Sequence, residues 1–105
     1  VVFNEDNILL YMSRKKIPGF KRDKDKPKKF YKQVCIYAFN REELKAFSKF
    51  GRKSTLEQSE DIEILRFLDL GKSIRLVETE SSSLAVDVPE DVIKIEKVMR
   101  DVYDN

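Results

Sequence analysis

Between Arg14 and Lys32 the chain sets ten Lys or Arg against two Asp, a balance of +8 over 19 residues. The stretch contains Pro18, Gly19 and Pro27 and shows no helical period, so it is predicted as one long loop. The other 86 residues carry eleven basic and seventeen acidic groups, a balance of −6, so the formal charge of +2 hides two opposed regions. Those 86 residues must also supply the core. One hundred and five residues hold one domain or part of one, and a chain of this size buries only about 60–70 % of its unfolded surface. Hydrophobic residues are 41 % and charged residues 38 %, but seven Phe and four Tyr argue against wholesale disorder.

Residue types that are absent narrow the chemistry. Without His there is no His-based triad and no His-ligated metal. The single Cys35 excludes an internal disulfide framework and a Cys-rich zinc site. Its place in Val34-Cys35-Ile36-Tyr37 predicts a small buried hydrophobe, and one free thiol fits a reducing cytoplasm. No apolar run approaches the 18 or so residues of a membrane span, and no charged-then-apolar leader opens the chain. The start at Val1, as though already inside a strand, suggests a piece of a longer protein.

Val1–Phe3 and Ile8–Met12 are apolar runs separated by Asn4-Glu5-Asp6-Asn7, which predicts a hairpin. After the basic loop, Phe30–Phe39 is apolar on both alternating faces, as in a strand buried between layers. Asn40 and Glu43 form a capping box for a helix that Gly51 ends. Ser54 and Glu57 form a second box, for a helix predicted to run to Gly71. Ser73–Thr79 and Leu84–Val86 read as strands. Pro89 opens a final helix with the stripe Val92, Ile95, Val98, Met99, Val102. The order is α/β, too short to complete a doubly wound sheet, and an apolar hairpin of this kind calls for a partner.

Five segments, in order, carry a family resemblance: "ILLYMSRKKIP" from Ile8, "YKQVCIYAF" from Tyr31, "STLEQSEDIEILRFLDLG" from Ser54, "VETE" from Val77 and "AVDVPED" from Ala85. Together they resemble the C-terminal part of the 3-deoxy-manno-octulosonate cytidylyltransferase (CMP-Kdo synthetase) family, within the wider acylneuraminate cytidylyltransferase group. The resemblance spans essentially the whole chain. It implies the C-terminal part of a nucleotide-diphospho-sugar transferase-like, Rossmann-like fold, with residues 1–105 a single partial domain and the hairpin a dimerisation arm. It implies transfer of a cytidylyl group from CTP to an acidic 3-deoxy sugar, Mg²⁺ as cofactor, a cytoplasmic homodimer, and no membrane or nucleic-acid partner.

The resemblance also assigns residues. Arg14 falls on a position near the acidic sugar, where a guanidinium can fork onto a carboxylate. Gln33, Tyr37 and Glu63 fall on positions near the same sugar. Asp87 falls on that of a magnesium ligand, a hard carboxylate just before a helix. From the residues alone, Arg14 also reads as a loop-base salt bridge, Tyr37 as core, Glu63 as an exposed helix residue and Asp87 as a helix cap. Gln33 stands where the family pattern has His, Ile64 where it has Gln and Val88 where it has Thr. The first two changes imply an altered sugar preference. No Gly-rich phosphate loop is present, because Gly19, Gly51 and Gly71 are isolated. No catalytic residue is therefore assigned to this chain alone, which is expected to be inactive. A competing reading is an anion or nucleic-acid module on the basic loop, with Phe20, Phe30 and Tyr31 as stacking platforms. A further one is a segment whose main task is dimerisation.

Overall fold

The computed structural model describes residues 1–80 and 88–103. Val2–Phe3 (β1) and Leu9–Tyr11 (β2) pair antiparallel, with Val2 opposite Tyr11 and Phe3 opposite Leu9 and an irregularity between them. The Asn4 side chain accepts from the Asp6 and Ile8 amides, and Asn7 takes a left-handed conformation, φ 60°. Both residues are among the few that favour such turns, so the predicted hairpin has a local cause. The basic loop follows, with one 3₁₀ turn at Asp23–Asp25 and no other regular element.

Arg41–Phe50 (α1) starts on the reciprocal Asn40–Glu43 box, at 2.9 and 3.0 Å, and stops at Gly51 with φ 69°. Replacing Asn40 with Ala removes an acceptor from the Glu43 amide. It is expected to cost about 1 kcal/mol, readable as a lower urea midpoint with an unchanged slope.

The single helix predicted after Ser54 is two. Thr55–Glu60 (α2) ends at Asp61, which is left-handed at φ 54°, and Leu65–Asp69 (α3) begins after a turn. Asp tolerates this conformation better than most residues. Lys53 at 2.8 Å and Arg14 at 3.6 Å hold its carboxylate there.

Phe30–Phe39 is not a strand. Ile36 is 84 % exposed, and Cys35 is an exposed thiol at φ 61°, not a buried hydrophobe. A strand apolar on both faces needs a sheet neighbour and a layer on each side. Among the described residues no backbone–backbone hydrogen bond reaches residues 32–39. Ser73–Thr79 shrinks to one antiparallel bridge, Ile8 with Arg75. The Leu9 amide donates to Ile74 (2.8 Å) and the Leu76 amide to Asn7 (2.7 Å). The expected strand Leu84–Val86 lies outside the described residues.

The result is an α/β arrangement of a two-stranded antiparallel sheet and helices. Leu9 and Met12 from the hairpin close on Ile64, Leu65 and Phe67 from α3 and the residue before it. Pro89–Tyr103 (α4) starts where the proline predicts, yet none of its residues is buried, and Val102 is 64 % exposed. No helix among the described residues is long and apolar enough to cross a membrane.

Candidate functional site

Two of the residues singled out above meet, and a third bears on them through its charge. The Tyr37 hydroxyl donates to the Gln33 side-chain oxygen. Glu63, exposed in the turn between α2 and α3, sets its negative charge against the same phenol. Tyr37 is 43 % exposed, but partial burial of the phenol, then the neighbouring Cys35, then Glu63 push its pKa up to about 12. A phenol so shifted remains a protonated hydrogen-bond donor throughout the neutral range.

A run of rings fixes this position. Tyr37 lies 6.2 Å from Phe39, Phe39 stacks on Phe67 at 5.0 Å, and Phe67 stacks on Phe47 of α1 at 5.1 Å. The run ends at the Arg66 guanidinium, 3.7 Å from the centre of the Phe47 ring. Arg66 in turn grips Glu57 with two bonds, 2.6 and 2.8 Å. An irregular segment thus presents Tyr37 because its aromatic neighbours are anchored in the helical core.

Arg14 is engaged otherwise. Its backbone amide donates to the Glu60 carboxylate at 2.9 Å, its Nε to the Glu60 carbonyl oxygen, and its guanidinium stands 3.6 Å from Asp61. This is the loop-base salt bridge, and it ties the end of the hairpin to the C-terminus of α2. Arg14 still shares with Gln33 the lining of an open cleft of about 380 Å³, together with Lys15, Lys16, Lys32 and Phe30. Those three lysines were legible only as members of the basic block. Lys15 and Lys16 directly follow Arg14, and Lys32 adjoins Gln33, which is the signal that singles them out.

Asp87 lies outside the described residues. Among the described residues no group of three or more Cys, Asp or Glu is placed to hold a metal ion.

The chain is 37 % identical over 102 residues to the 3-deoxy-manno-octulosonate cytidylyltransferase of Flavobacterium johnsoniae, which covers 97 % of this chain. It is 38 % identical over 99 residues to the enzyme of the same name from Christiangramia forsetii. The chain is homologous to the C-terminal portion of the 3-deoxy-manno-octulosonate cytidylyltransferase family. It spans 41 % and 39 % of the length of those two relatives. It is also 37 % identical over 99 residues, 38 % of the relative's length, to an 8-amino-3,8-dideoxy-manno-octulosonate cytidylyltransferase of Shewanella baltica. Relatives equally identical to this chain thus bear the names of different sugars. No protein-family model matches the chain. No solved structure matches it either.

Proposed function

We propose that this chain is the sugar-side part of a cytidylyltransferase that joins CTP to an acidic 3-deoxy-ulosonic sugar, giving CMP-sugar and pyrophosphate. The sugar's anomeric hydroxyl attacks the α-phosphorus, and the bond from that phosphorus to the pyrophosphate oxygen breaks. The observation that carries the reading is the Tyr37–Gln33 hydrogen bond, with the Glu63 charge acting on the same phenol, in a chain whose length aligns almost entirely with such enzymes. A neutral phenol, an amide and a carboxylate suit a polyhydroxylated sugar: the carboxylate accepts from hydroxyls, and the amide both donates and accepts. In this reading Asp87 binds Mg²⁺ together with a carboxylate from outside this chain. The hairpin serves as the dimer arm of a Rossmann-like, cytoplasmic homodimer.

The test is pyrophosphate release by the parent polypeptide. Release is expected only with CTP, Mg²⁺ and a 3-deoxy-ulosonic acid together. In that enzyme Glu63→Ala is expected to lower kcat/KM about tenfold or more, the worth of a hydrogen bond to a charged group. No release with Kdo, its 8-amino analogue or an acylneuraminate would overturn the reading.

A further inference from the structure

We propose that the cleft between the end of β2 and Phe30–Gln33 binds a small oxyanion carrying two or more negative charges, of the kind presented by a diphosphate or a phosphate ester. The reading of the sugar site is deepened here and supplies the neighbouring residues, but the binding claimed needs no turnover. Four cationic side chains line the cleft and no carboxylate does: Arg14, Lys15, Lys16 and Lys32. Arg14 has its guanidinium on Glu60 and Asp61, so its charge is already partly answered. Lys15, Lys16 and Lys32 have no carboxylate partner among the described residues. Three ammonium groups without such a partner among the described residues exceed what a single sugar carboxylate neutralises, whereas a doubly charged oxyanion meets them.

The cleft is also arranged in advance. Lys16 Nζ rests 4.1 Å from the centre of the Phe30 ring, which restrains a side chain that otherwise loses much freedom on binding. Phe3 meets Tyr31 edge-on at 4.9 Å, so the far wall is pinned to the hairpin. A volume of about 380 Å³ falls within the range of small-molecule sites.

The same contacts speak against a stacked nucleic acid. Lys16 covers Phe30, while Lys29 lies 4.9 Å over Tyr31 and is paired with Glu78 at 2.6 Å. Two of the three rings that could serve as platforms are therefore already occupied by lysines of this chain.

Titration of the chain with inorganic pyrophosphate, followed by calorimetry, tests the site. One saturable site is expected. Combined Lys15→Ala, Lys16→Ala and Lys32→Ala should weaken it about tenfold or more, as loss of charge-assisted bonds does. Combined Lys24→Ala, Lys26→Ala and Lys28→Ala, in the same loop but outside the cleft, should leave it unchanged. All six side chains are exposed, and circular dichroism checks that both variants fold. Equal losses in the two variants would mean diffuse loop charge and overturn the proposal, as would acetate binding as well as pyrophosphate. An oligonucleotide binding more tightly than pyrophosphate, with loss in the outer variant, would replace it with the nucleic-acid reading. In the parent enzyme a phosphorylated ulosonate preferred over the plain sugar identifies the acceptor as the source of the charge, and competitive inhibition by pyrophosphate identifies the product. Pyrophosphate binding without any cytidylyl transfer would leave this site standing while removing the proposed function.

Discussion

Replacing Glu57 with Ala lowers the stability of the folded chain by about 3 kcal/mol, the lower end of the cost of breaking a buried ion pair. Glu57 is 1 % exposed and carries three bonds on its two oxygens: 2.6 and 2.8 Å from Arg66 and 3.0 Å from the Ser54 amide. The lower end applies because Arg66 keeps contact with the Phe47 ring and carbonyl and its side chain is 13 % exposed. A domain of this size has about 5–15 kcal/mol in all, so the variant should melt about 10–15 °C lower.

The pH dependence gives this prediction its sign. The Arg66 guanidinium, opposed by burial and helped by the Ser54 amide, holds the Glu57 carboxyl below its ordinary 4.5. A carboxyl held low in the folded state stabilises above the unfolded value, and that stabilisation is lost as pH falls through the folded one. The gap between the natural chain and Glu57→Ala should therefore narrow in urea titrations between about pH 7 and pH 3. In Arg66→Met the carboxylate keeps the Ser54 amide and the Lys53 charge against the same burial, so the downward shift should shrink and the pH dependence flatten. A gap that stays constant with pH, or stays under about 1 kcal/mol, would show the pair to be merely decorative.

Sequence separation explains which parts of this fold were readable beforehand. The caps at Asn40 and Ser54, the stop at Gly51, the start at Pro89 and the hairpin turn at Asn4–Asn7 are each decided by groups within a few residues. They were legible because each residue's own side chain or backbone freedom answers a local need. Asp61 was not, because its left-handed turn is braced by Lys53, eight residues back, and by Arg14, on the hairpin. The Glu57–Arg66 clamp bridges that break, outside any helical spacing. Phe30–Phe39 has the alternation of a strand, but alternation states only which faces want burial, and a sheet also needs a neighbour. At the site, family resemblance rather than periodicity singled out Gln33, Tyr37 and Glu63. The ring stack that steadies them, Phe39 on Phe67 on Phe47, joins an irregular segment to two helices, and no short-range pattern encodes it.

The chain by itself is expected to form CMP-sugar at least about 10⁴-fold more slowly than the parent polypeptide, because phosphoryl chemistry depends on charge neutralisation and alignment at the phosphates. The described residues offer the Tyr37–Gln33 pair and cations, but no group of three or more carboxylates or thiols placed to hold a metal ion. Their glycines do not form a phosphate cradle either: Gly51 and Gly71, at φ 69° and 74°, follow helices, and Gly19 stands alone in the basic loop. Binding the sugar without the nucleotide contributes nothing to the transition state at the α-phosphorus. The measurement is pyrophosphate release from CTP and Mg²⁺ with the acidic sugar, run with this chain, with the parent polypeptide, and with this chain plus a separately expressed upstream portion. Turnover only where the upstream portion is present would place the phosphate and metal machinery there. Comparable turnover by this chain alone would mean that its own lysines and carboxylates suffice, and the division of labour argued here would be wrong.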